Sequence, residues 1–217
     1  VDRLQRGEAV SIDDLVAGRD DLAAAILRAG GLLAFGQLHL QGRQPASGQA
    51  APGPRTLFEK IIDRHLLQTE VTPAHPQPGE GLFLRADWRF IHEYYTGMAA
   101  HMLHSRFGSP VSLVDPERIV VFEDHTSYVN ESPNHVRAGI VPRVHAMCQA
   151  QRDFVRQYGL RSHRTLPEAE AAVDDGSNVA GISHAMMAEH YALPGQVAVG
   201  TDSHTPHSGA LGCAAFG

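Results

Sequence analysis

Three apolar segments of the sequence each run directly into a short polar stretch that contains a histidine. The three junctions are IVVF (119–122) into Glu-Asp-His (123–125), NVAGI (178–182) into Ser-His (183–184), and QVAVG (196–200) into Thr-Asp-Ser-His (201–204). Helical patterns separate the apolar segments, and this alternation predicts an α/β fold with a mostly parallel sheet flanked by helices. Ligands bind outside the carboxyl ends of the strands in such sheets. The sequence therefore predicts that three histidines emerge together at one edge of the sheet.

The residues at these junctions are typical of acid–base chemistry. His125 directly follows Asp124, and His204 lies two residues after Asp202, whereas His184 follows a serine. A carboxylate beside an imidazole raises its basicity and fixes its tautomer, as general acid–base catalysis requires. Asp and Ser after a strand are also common helix N-caps, so a single ending of this kind would favour a structural role. Three such endings in one chain favour a functional site.

Capping and turn signals divide the chain into three predicted regions. Residues 1–40 are expected to form a helical extension of two short helices, the second of them capped by Asp20. Residues 41–55 have the Gly- and Pro-rich composition of a linker. We expect the α/β domain over residues 56–217, incomplete at its C-terminus, so that the chain is a fragment of a longer protein.

Within the α/β domain, Thr56 and Glu59 predict a capping box at the start of the first helix. The further predicted elements are a strand at 82–86, helices at about 143–158, 167–173 and 184–193, and a small-residue helix beginning near Ser208. The N-terminus of that last helix has unpaired N–H groups and a partial positive charge, which suit a carboxylate substrate.

The composition argues against several classes of protein. The formal net charge is −6, from 24 acidic and 18 basic side chains, which disfavours a nucleic-acid binder. No stretch approaches the roughly 20 apolar residues of a membrane span. Two cysteines, Cys148 and Cys213, are too few for a disulfide scaffold. The polar, acidic start has no signal-peptide pattern, and we expect a cytoplasmic protein.

Several segments, in order along residues 56–217, match one family. They are TLFEKIIDRHLL (56–67), FIHEYYTGMA (90–99), FEDHT (122–126), GISH (181–184) with LPG (193–195), and VGTDSHTPHSGALGCAAFG (199–217). The sequence resembles the aconitase superfamily, and especially the large subunit of isopropylmalate dehydratase. Members of this family move a hydroxyl group between adjacent carbons of a di- or tricarboxylate, by dehydration and rehydration. Residues 1–50 match nothing that we recognise.

The resemblance implies a role for each histidine that follows a strand. Asp124 and His125 would handle the proton of the substrate hydroxyl. His184 and His204 would surround the leaving hydroxyl, which Asp202 would help to hold. The resemblance further implies that two other residues contact the carboxylates of a small substrate, namely His92 and Ser203.

The family also implies a [4Fe–4S] cluster, in which one iron without a cysteine ligand binds the substrate hydroxyl and a carboxylate as a Lewis acid. The family's three cluster cysteines lie downstream of the matched region. Cys148 and Cys213 occupy none of those positions. We therefore expect the cluster in the full-length protein, and expect neither metal ligands nor hydro-lyase activity in this chain alone.

The sequence leaves open which branch of the family the chain resembles most, and whether it is an enzyme of this type at all. His92-Glu93 and the TLFEKI helix favour isopropylmalate dehydratase, and thus leucine biosynthesis, whereas GTDSHTP favours aconitase or homoaconitase. The first branch implies a separate small subunit, or a C-terminal domain, as partner. A non-catalytic, degenerate relative is a further hypothesis. Another is a mononuclear metal hydrolase with four candidate ligands, namely Asp124, His125, Asp202 and His204.

Overall fold

The computed structural model describes residues 2–40, 43, 45, 53–73, 76–126, 134, 137–140, 143–166, 168–173 and 181–217. Its backbone contacts divide the chain into two compact units, Val1–Arg85 and Ala86–Gly217. Most of the segment 41–55 lies outside the described residues. Its assignment as a linker therefore stays a prediction, and so does the division of the chain that depends on it.

The first unit consists of short helices. They are α1 (Asp2–Gln5), α2 (Ile12–Val16), α3 (Asp21–Arg28), α4 (Leu32–His39) and α5 (Leu57–His65). The extension thus has four short helices where two were predicted. The side chain of Asp20 accepts a hydrogen bond from the N–H of Ala23 and caps α3, as predicted. The capping box of Thr56 and Glu59 is present at the start of α5, because each side chain bonds the main chain of the other residue.

The second unit alternates strands and helices. Its elements are β1 (Trp88–His92), α6 (Glu93–Phe107), a 3₁₀ helix (Pro116–Arg118), β2 (Ile119–Phe122), α7 (Val144–Tyr158), β3 (Arg161–His163), α8 (Glu168–Ala171), α9 (Ser183–His190), β4 (Val197–Gly200), a second 3₁₀ helix (Thr205–Leu211) and β5 (Ala214–Phe216).

The five strands form one sheet in the order β3-β2-β1-β4-β5, and all neighbours are parallel. Successive residues of β2 face opposite sides of this sheet. Val120 and Phe122 pack with Met187 of α9, whereas Val121 packs with Phe154 of α7. Helices therefore cover both faces, and the predicted α/β fold with a parallel sheet is confirmed.

The strand order creates a switch point between β1 and β4. From β1 the chain proceeds to β2 and β3 on one side, whereas β4 and β5 lie on the other side. The crevice outside the carboxyl ends of the strands at such a point is the usual ligand site of an open α/β sheet. His92 ends β1, and Thr201 directly follows β4.

Three predicted elements differ from the structure. The strand expected at 82–86 is wrong: Leu84 forms only an isolated bridge with Leu66, and the strand begins at Trp88. The helix expected from near Ser208 is a short 3₁₀ helix at Thr205–Leu211, and it does not continue to the end of the chain, because residues 214–216 pair in parallel with β4 as a strand. Residues 178–180 of the segment NVAGI lie outside the described residues, and residues 181–182 are not in a strand.

Among the described residues, no single helix has the length and apolarity to cross a membrane. Two consecutive helices, Asp21–Arg28 and Leu32–His39, together have the length and apolar composition of a membrane span, but the chain bends by 95° between them.

Candidate active site

Asp202 joins two of the predicted histidines at the end of β4. Its Oδ2 lies 2.8 Å from Nδ1 of His184, and its Oδ1 lies 3.3 Å from Nδ1 of His204. The two imidazole rings stack with centroids 5.0 Å apart. One buried carboxylate thus orients both rings through Nδ1 and leaves Nε2 of each ring available for proton transfer.

The surroundings of Asp202 keep its carboxylate charged. Burial by itself would raise the pKa of Asp202. Hydrogen bonds from the main-chain N–H of His204 and from the side chains of His184, His204 and Ser183 outweigh burial and hold that pKa well below its usual range. An Asp202 that is ionised near neutral pH stabilises a positive charge on either histidine.

A second group of predicted residues lies at the ends of β1 and β2. The rings of His92 and His125 stack with centroids 4.1 Å apart. Nδ1 of His125 is 3.7 Å from Oδ2 of Asp124, so the predicted acid–imidazole pair is formed as a close ion pair. His92 is 2% exposed, and its burial lowers the pKa of the ring. The neutral form of His92 is therefore favoured.

Ser183 connects the two groups. Its main-chain N–H donates to Oδ2 of Asp124 at 3.0 Å, and its hydroxyl donates to Oδ2 of Asp202 at 3.1 Å. Thr201 makes a second connection, because its carbonyl oxygen lies 3.3 Å from Nε2 of His92. A hydrogen-bonded network therefore links the ends of β1, β2 and β4 with the first residue of α9.

The structure brings the predicted site residues together, but the two residues expected to bind substrate carboxylates differ in their exposure to solvent. His92 is buried, whereas Ser203 is exposed and lies 3.2 Å, through Oγ, from Nδ1 of His204. Sequence reasoning gave no role to Ser183 or to Glu93. Glu93 is 1% exposed, and its Oε2 accepts a hydrogen bond from the N–H of Asp124 at 3.0 Å. The position of Glu93 directly after His92, at the end of an apolar run, was the available signal.

The four ligands predicted for a mononuclear metal hydrolase do not form one group. In the described part of the chain, close groups of potential ligands, with atoms within 4.8 Å of one another, combine His184 with Asp202 and His204, or His92 with Glu93 and His125. The structure thus separates Asp124 and His125 from Asp202 and His204 as ligands of one ion.

Neither cysteine has the setting of a metal ligand. The sulfur of Cys148 lies 3.2 Å from the hydroxyl of Thr126, and the thiol of Cys213 donates to the carbonyl of Leu193 at 3.1 Å. Burial raises the pKa of both thiols, whereas metals bind the thiolate. The cysteines of this chain therefore do not fit an iron–sulfur cluster.

Comparison with known proteins identifies one matching family and several relatives of the chain. A family model described as "Aconitase family (aconitate hydratase)" matches residues 59–217. The large subunit 1 of 3-isopropylmalate dehydratase from Pyrococcus furiosus is 30% identical over 167 residues, which are 76% of this chain and 32% of that protein. The chloroplastic large subunit of the same enzyme from Arabidopsis thaliana is 27% identical, over 81% of this chain and 31% of its own length.

A third relative carries a different name. The probable methanogen homoaconitase large subunit of Methanothermobacter thermautotrophicus is 32% identical, over 74% of this chain and 32% of that protein. The chain thus spans about a third of the length of the curated relatives it matches.

Proposed function

The chain belongs to the aconitase family, and from that premise we propose that it forms part of a hydro-lyase that isomerises a hydroxy di- or tricarboxylate. Its relatives are named as large subunits of 3-isopropylmalate dehydratase or of homoaconitase. We propose isopropylmalate as the substrate and homocitrate-type tricarboxylates as the alternative. If isopropylmalate is the substrate, we propose that the protein acts in leucine biosynthesis in the cytoplasm.

The observation that carries the proposal is the pair of imidazoles held by Asp202. Dehydration removes a proton from one carbon and a hydroxide from its neighbour, so the leaving hydroxide needs a proton to depart as water. His184 and His204 each have Nδ1 bound to Asp202, which leaves Nε2 to give or take that proton. The charged Asp202 stabilises the protonated ring before transfer.

Asp124 and His125 supply a second acid–base pair in the proposal. The carboxylate of Asp124 faces Nδ1 of His125 at 3.7 Å, and the side chain of His125 is 38% exposed, within reach of a substrate. When water adds back to the double bond, this pair would take one proton from that water, so that hydroxide bonds to the carbon and becomes the hydroxyl of the product. Ser183 fixes the position of the Asp124–His125 pair relative to Asp202, because Ser183 donates a hydrogen bond to both carboxylates.

The carboxylates of the substrate need donors. The hydroxyl of Ser203 is exposed beside His204 and is free to bind one of them. His92 was expected to bind another. Its Nε2, however, faces the carbonyl oxygen of Thr201, and a neutral ring then presents only an acceptor at Nδ1. We therefore propose that Ser203, and not His92, binds a substrate carboxylate.

The family's [4Fe–4S] cluster would polarise the substrate hydroxyl as a Lewis acid when bound. The two cysteines of this chain do not fit as its ligands. We propose that cysteines outside these 217 residues hold the cluster and that a small subunit completes the enzyme, as the name "large subunit" of the relatives suggests.

Substrate assays on the whole protein with its small subunit test this function. Isopropylmalate, citrate and homocitrate are supplied separately, and formation of the unsaturated acid is followed by its ultraviolet absorbance. We expect turnover of isopropylmalate, and a loss of about 10²–10⁴-fold in kcat for His184→Ala, as removal of a general acid produces. Turnover of homocitrate alone would assign the other branch. Absence of turnover with every substrate in a protein loaded with its cluster would support a non-catalytic relative.

A further inference from the structure

His207 is an exposed histidine next to the two imidazoles that Asp202 holds. Its ring is inclined by 65° to the ring of His184, with centroids 5.3 Å apart. The ring of His184 in turn stacks on that of His204 at 5.0 Å. Three imidazoles therefore lie side by side beyond the end of β4, with His184 in the middle.

The 3₁₀ helix Thr205–Leu211 explains the position of His207. With about three residues per turn, residues three apart lie on the same side of such a helix. Thr205 and Ser208 form its inner side, where they are 0% and 1% exposed. His204, directly before the helix, and His207 form its outer side, and the N–H of His207 donates to the carbonyl of His204 at 2.9 Å. The fold thus presents a second histidine to solvent one turn after His204.

The side chain of His207 has no hydrogen-bond or ion-pair partner among the described residues. Asp202 has no acceptor site left for it. Oδ1 of Asp202 accepts from the main chain and the ring of His204, and Oδ2 accepts from His184 and Ser183. These four bonds occupy the roughly four lone-pair sites of a carboxylate. The ring nitrogens of His207 are therefore left to bind a molecule from solution.

The composition of this region favours a carboxylate as that molecule. The proposed substrates carry two or three carboxylates, and Ser203 provides a neutral hydroxyl for one of them. Residues 165–217 contain no lysine and no arginine. Histidine is therefore the only side chain of this segment that can carry a positive charge. A charged donor bonds a carboxylate roughly twice as strongly as a neutral donor does.

The chemistry of a hydroxy acid places one carboxylate close to His184. In the proposed reaction, His184 gives or takes a proton at the hydroxyl of the substrate. A carboxylate of such an acid is bonded to the carbon that carries the hydroxyl or to the next carbon. The residue that binds this carboxylate must therefore be a neighbour of His184, and His207 is such a neighbour.

We propose that His207 binds a carboxylate of the substrate beside His184. This inference rests on the proposed hydro-lyase function, which supplies the dicarboxylate or tricarboxylate, and it adds a donor for a second carboxylate. His207 holds the substrate and transfers no proton. Because the bond is made equally in the ground state and in the transition state, its loss raises KM and leaves kcat unchanged.

Binding of two substrate analogues that lack the hydroxyl tests this role. 2-Isopropylsuccinate and propane-1,2,3-tricarboxylate cannot be dehydrated, so calorimetry on the whole protein, with its cluster and small subunit, measures their affinity at equilibrium. We expect at least one of them to bind, and we expect His207→Ala to weaken its binding at least about tenfold, as the loss of a hydrogen bond to a charged group does. His207→Arg restores a cation and should recover most of the affinity. Because the side chain of His207 is exposed, both variants are expected to fold.

His190→Ala is the matched control, because it removes another exposed histidine at the opposite end of α9 from His184. We expect it to bind the analogues as the unmodified protein does. Four results would overturn the proposal: equal binding by His207→Ala and the unmodified protein, equally weak binding by His190→Ala, binding of neither analogue to the unmodified protein, or a loss of kcat at unchanged KM in His207→Ala.

The calorimetric readout also separates this proposal from the hydro-lyase function. Analogue binding that depends on His207, in a protein that turns over no substrate, would contradict the hydro-lyase function and would still support the carboxylate site. Turnover together with binding that is indifferent to His207 would have the opposite meaning.

Discussion

The hydroxyl of Ser183 donates a hydrogen bond of 3.1 Å to Oδ2 of Asp202 inside the second unit. Ser183 is fully buried, and Asp202 is 4% exposed. The main-chain N–H of Ser183 also bonds the carboxylate of Asp124 at 3.0 Å. The first residue of α9 thus fixes the separation of the two acid–histidine groups.

Replacement of Ser183 by alanine is expected to lower both stability and activity. The change removes one hydrogen bond to a charged carboxylate, which contributes about 1.5–3 kcal/mol when it is buried. The main-chain bond to Asp124 stays, so the protein is expected to fold. Denaturant unfolding measures the loss of stability, and kcat measures the misplacement of His184. Ser203→Ala, the same change at an exposed position, should alter the free energy of unfolding by less than about 0.5 kcal/mol. Equal stability of the two variants would refute a buried role for Ser183.

Asp202→Asn is expected to destabilise the protein in a pH-dependent way. The pKa of Asp202 lies well below its ordinary value near 3.8, because four hydrogen bonds outweigh its burial. A lowered pKa in the folded state contributes stability that is complete above the unfolded pKa and is lost as the pH falls towards the folded pKa. The stability gap between the unmodified protein and Asp202→Asn should therefore be constant above about pH 5 and should narrow below about pH 4. Urea unfolding at a series of pH values measures the gap, and a gap that widens towards acid would contradict the prediction.

The parts of the site that follow from the sequence are those at strand ends. An apolar run such as 119–122 predicts a buried strand, and a polar triplet after it must lie at the carboxyl edge of a parallel sheet. Asp124, His125, Asp202 and His204 were placed by this argument alone. The fold class followed in the same way from the alternation of strands and helices.

Other features depend on contacts that a single sequence does not reveal. The strand Trp88–His92 was missed because its residues lack the strict alternation of a half-buried strand, and the apolar run at 82–86 appeared stronger. The sequence analysis does not predict the burial of Glu93, since Glu in the first turn of a helix is usually a solvated residue. Its burial follows from the sheet, which brings the N–H of Asp124 to its carboxylate.

Arg152→Gln is expected to destabilise the second unit by about 3–5 kcal/mol, because it leaves the buried carboxylate of Glu123 without its charged partner. Arg152 bonds both oxygens of Glu123, at 2.5 and 2.9 Å, and Glu123 is 2% exposed. Thermal or urea unfolding measures the loss. The double variant with Glu123→Gln should recover much of it, as a double-mutant cycle would show.

Arg156→Gln provides the comparison for Arg152. Arg156 pairs with Asp153 at 3.2 Å, but their side chains are 74% and 56% exposed. Such surface pairs contribute about 0–1 kcal/mol. A loss at Arg156 as large as that at Arg152 would show that burial of the carboxylate is not the cause.

Both cysteines are expected to react slowly with iodoacetamide in the folded protein at pH 7–8. Burial raises the pKa of the Cys148 and Cys213 thiols, and the thiolate is the reactive form. Peptide mass spectrometry measures the modification of each residue separately, with the urea-unfolded protein as the reference. Rapid labelling of either cysteine in the native state would show that it is accessible and ionised, contrary to this structure.

Gly200→Ala is expected to disturb the end of β4, where the chain enters Thr201 and Asp202. A Cβ at residue 200 would overlap the ring of Phe90 and would lie 2.6 Å from Oγ1 of Thr205. Phe90 is 3% exposed and packs edge-on against Phe122, so its ring has little room to move. Overpacking of this kind costs about 1–3 kcal/mol. We expect this loss in urea unfolding, together with weaker turnover, because Asp202 follows the displaced strand end.

Gly209→Ala separates this steric effect from the general effect of adding a methyl group. Nothing lies within 4 Å of a Cβ built on Gly209, and its φ is not positive. Because alanine also has less conformational freedom than glycine in the unfolded chain, Gly209→Ala should be neutral or stabilising by up to about 1 kcal/mol. Equal unfolding free energies for the two variants would mean that the ring of Phe90 yields to the methyl group, and the geometry of Asp202 would then not depend on close packing beneath β4.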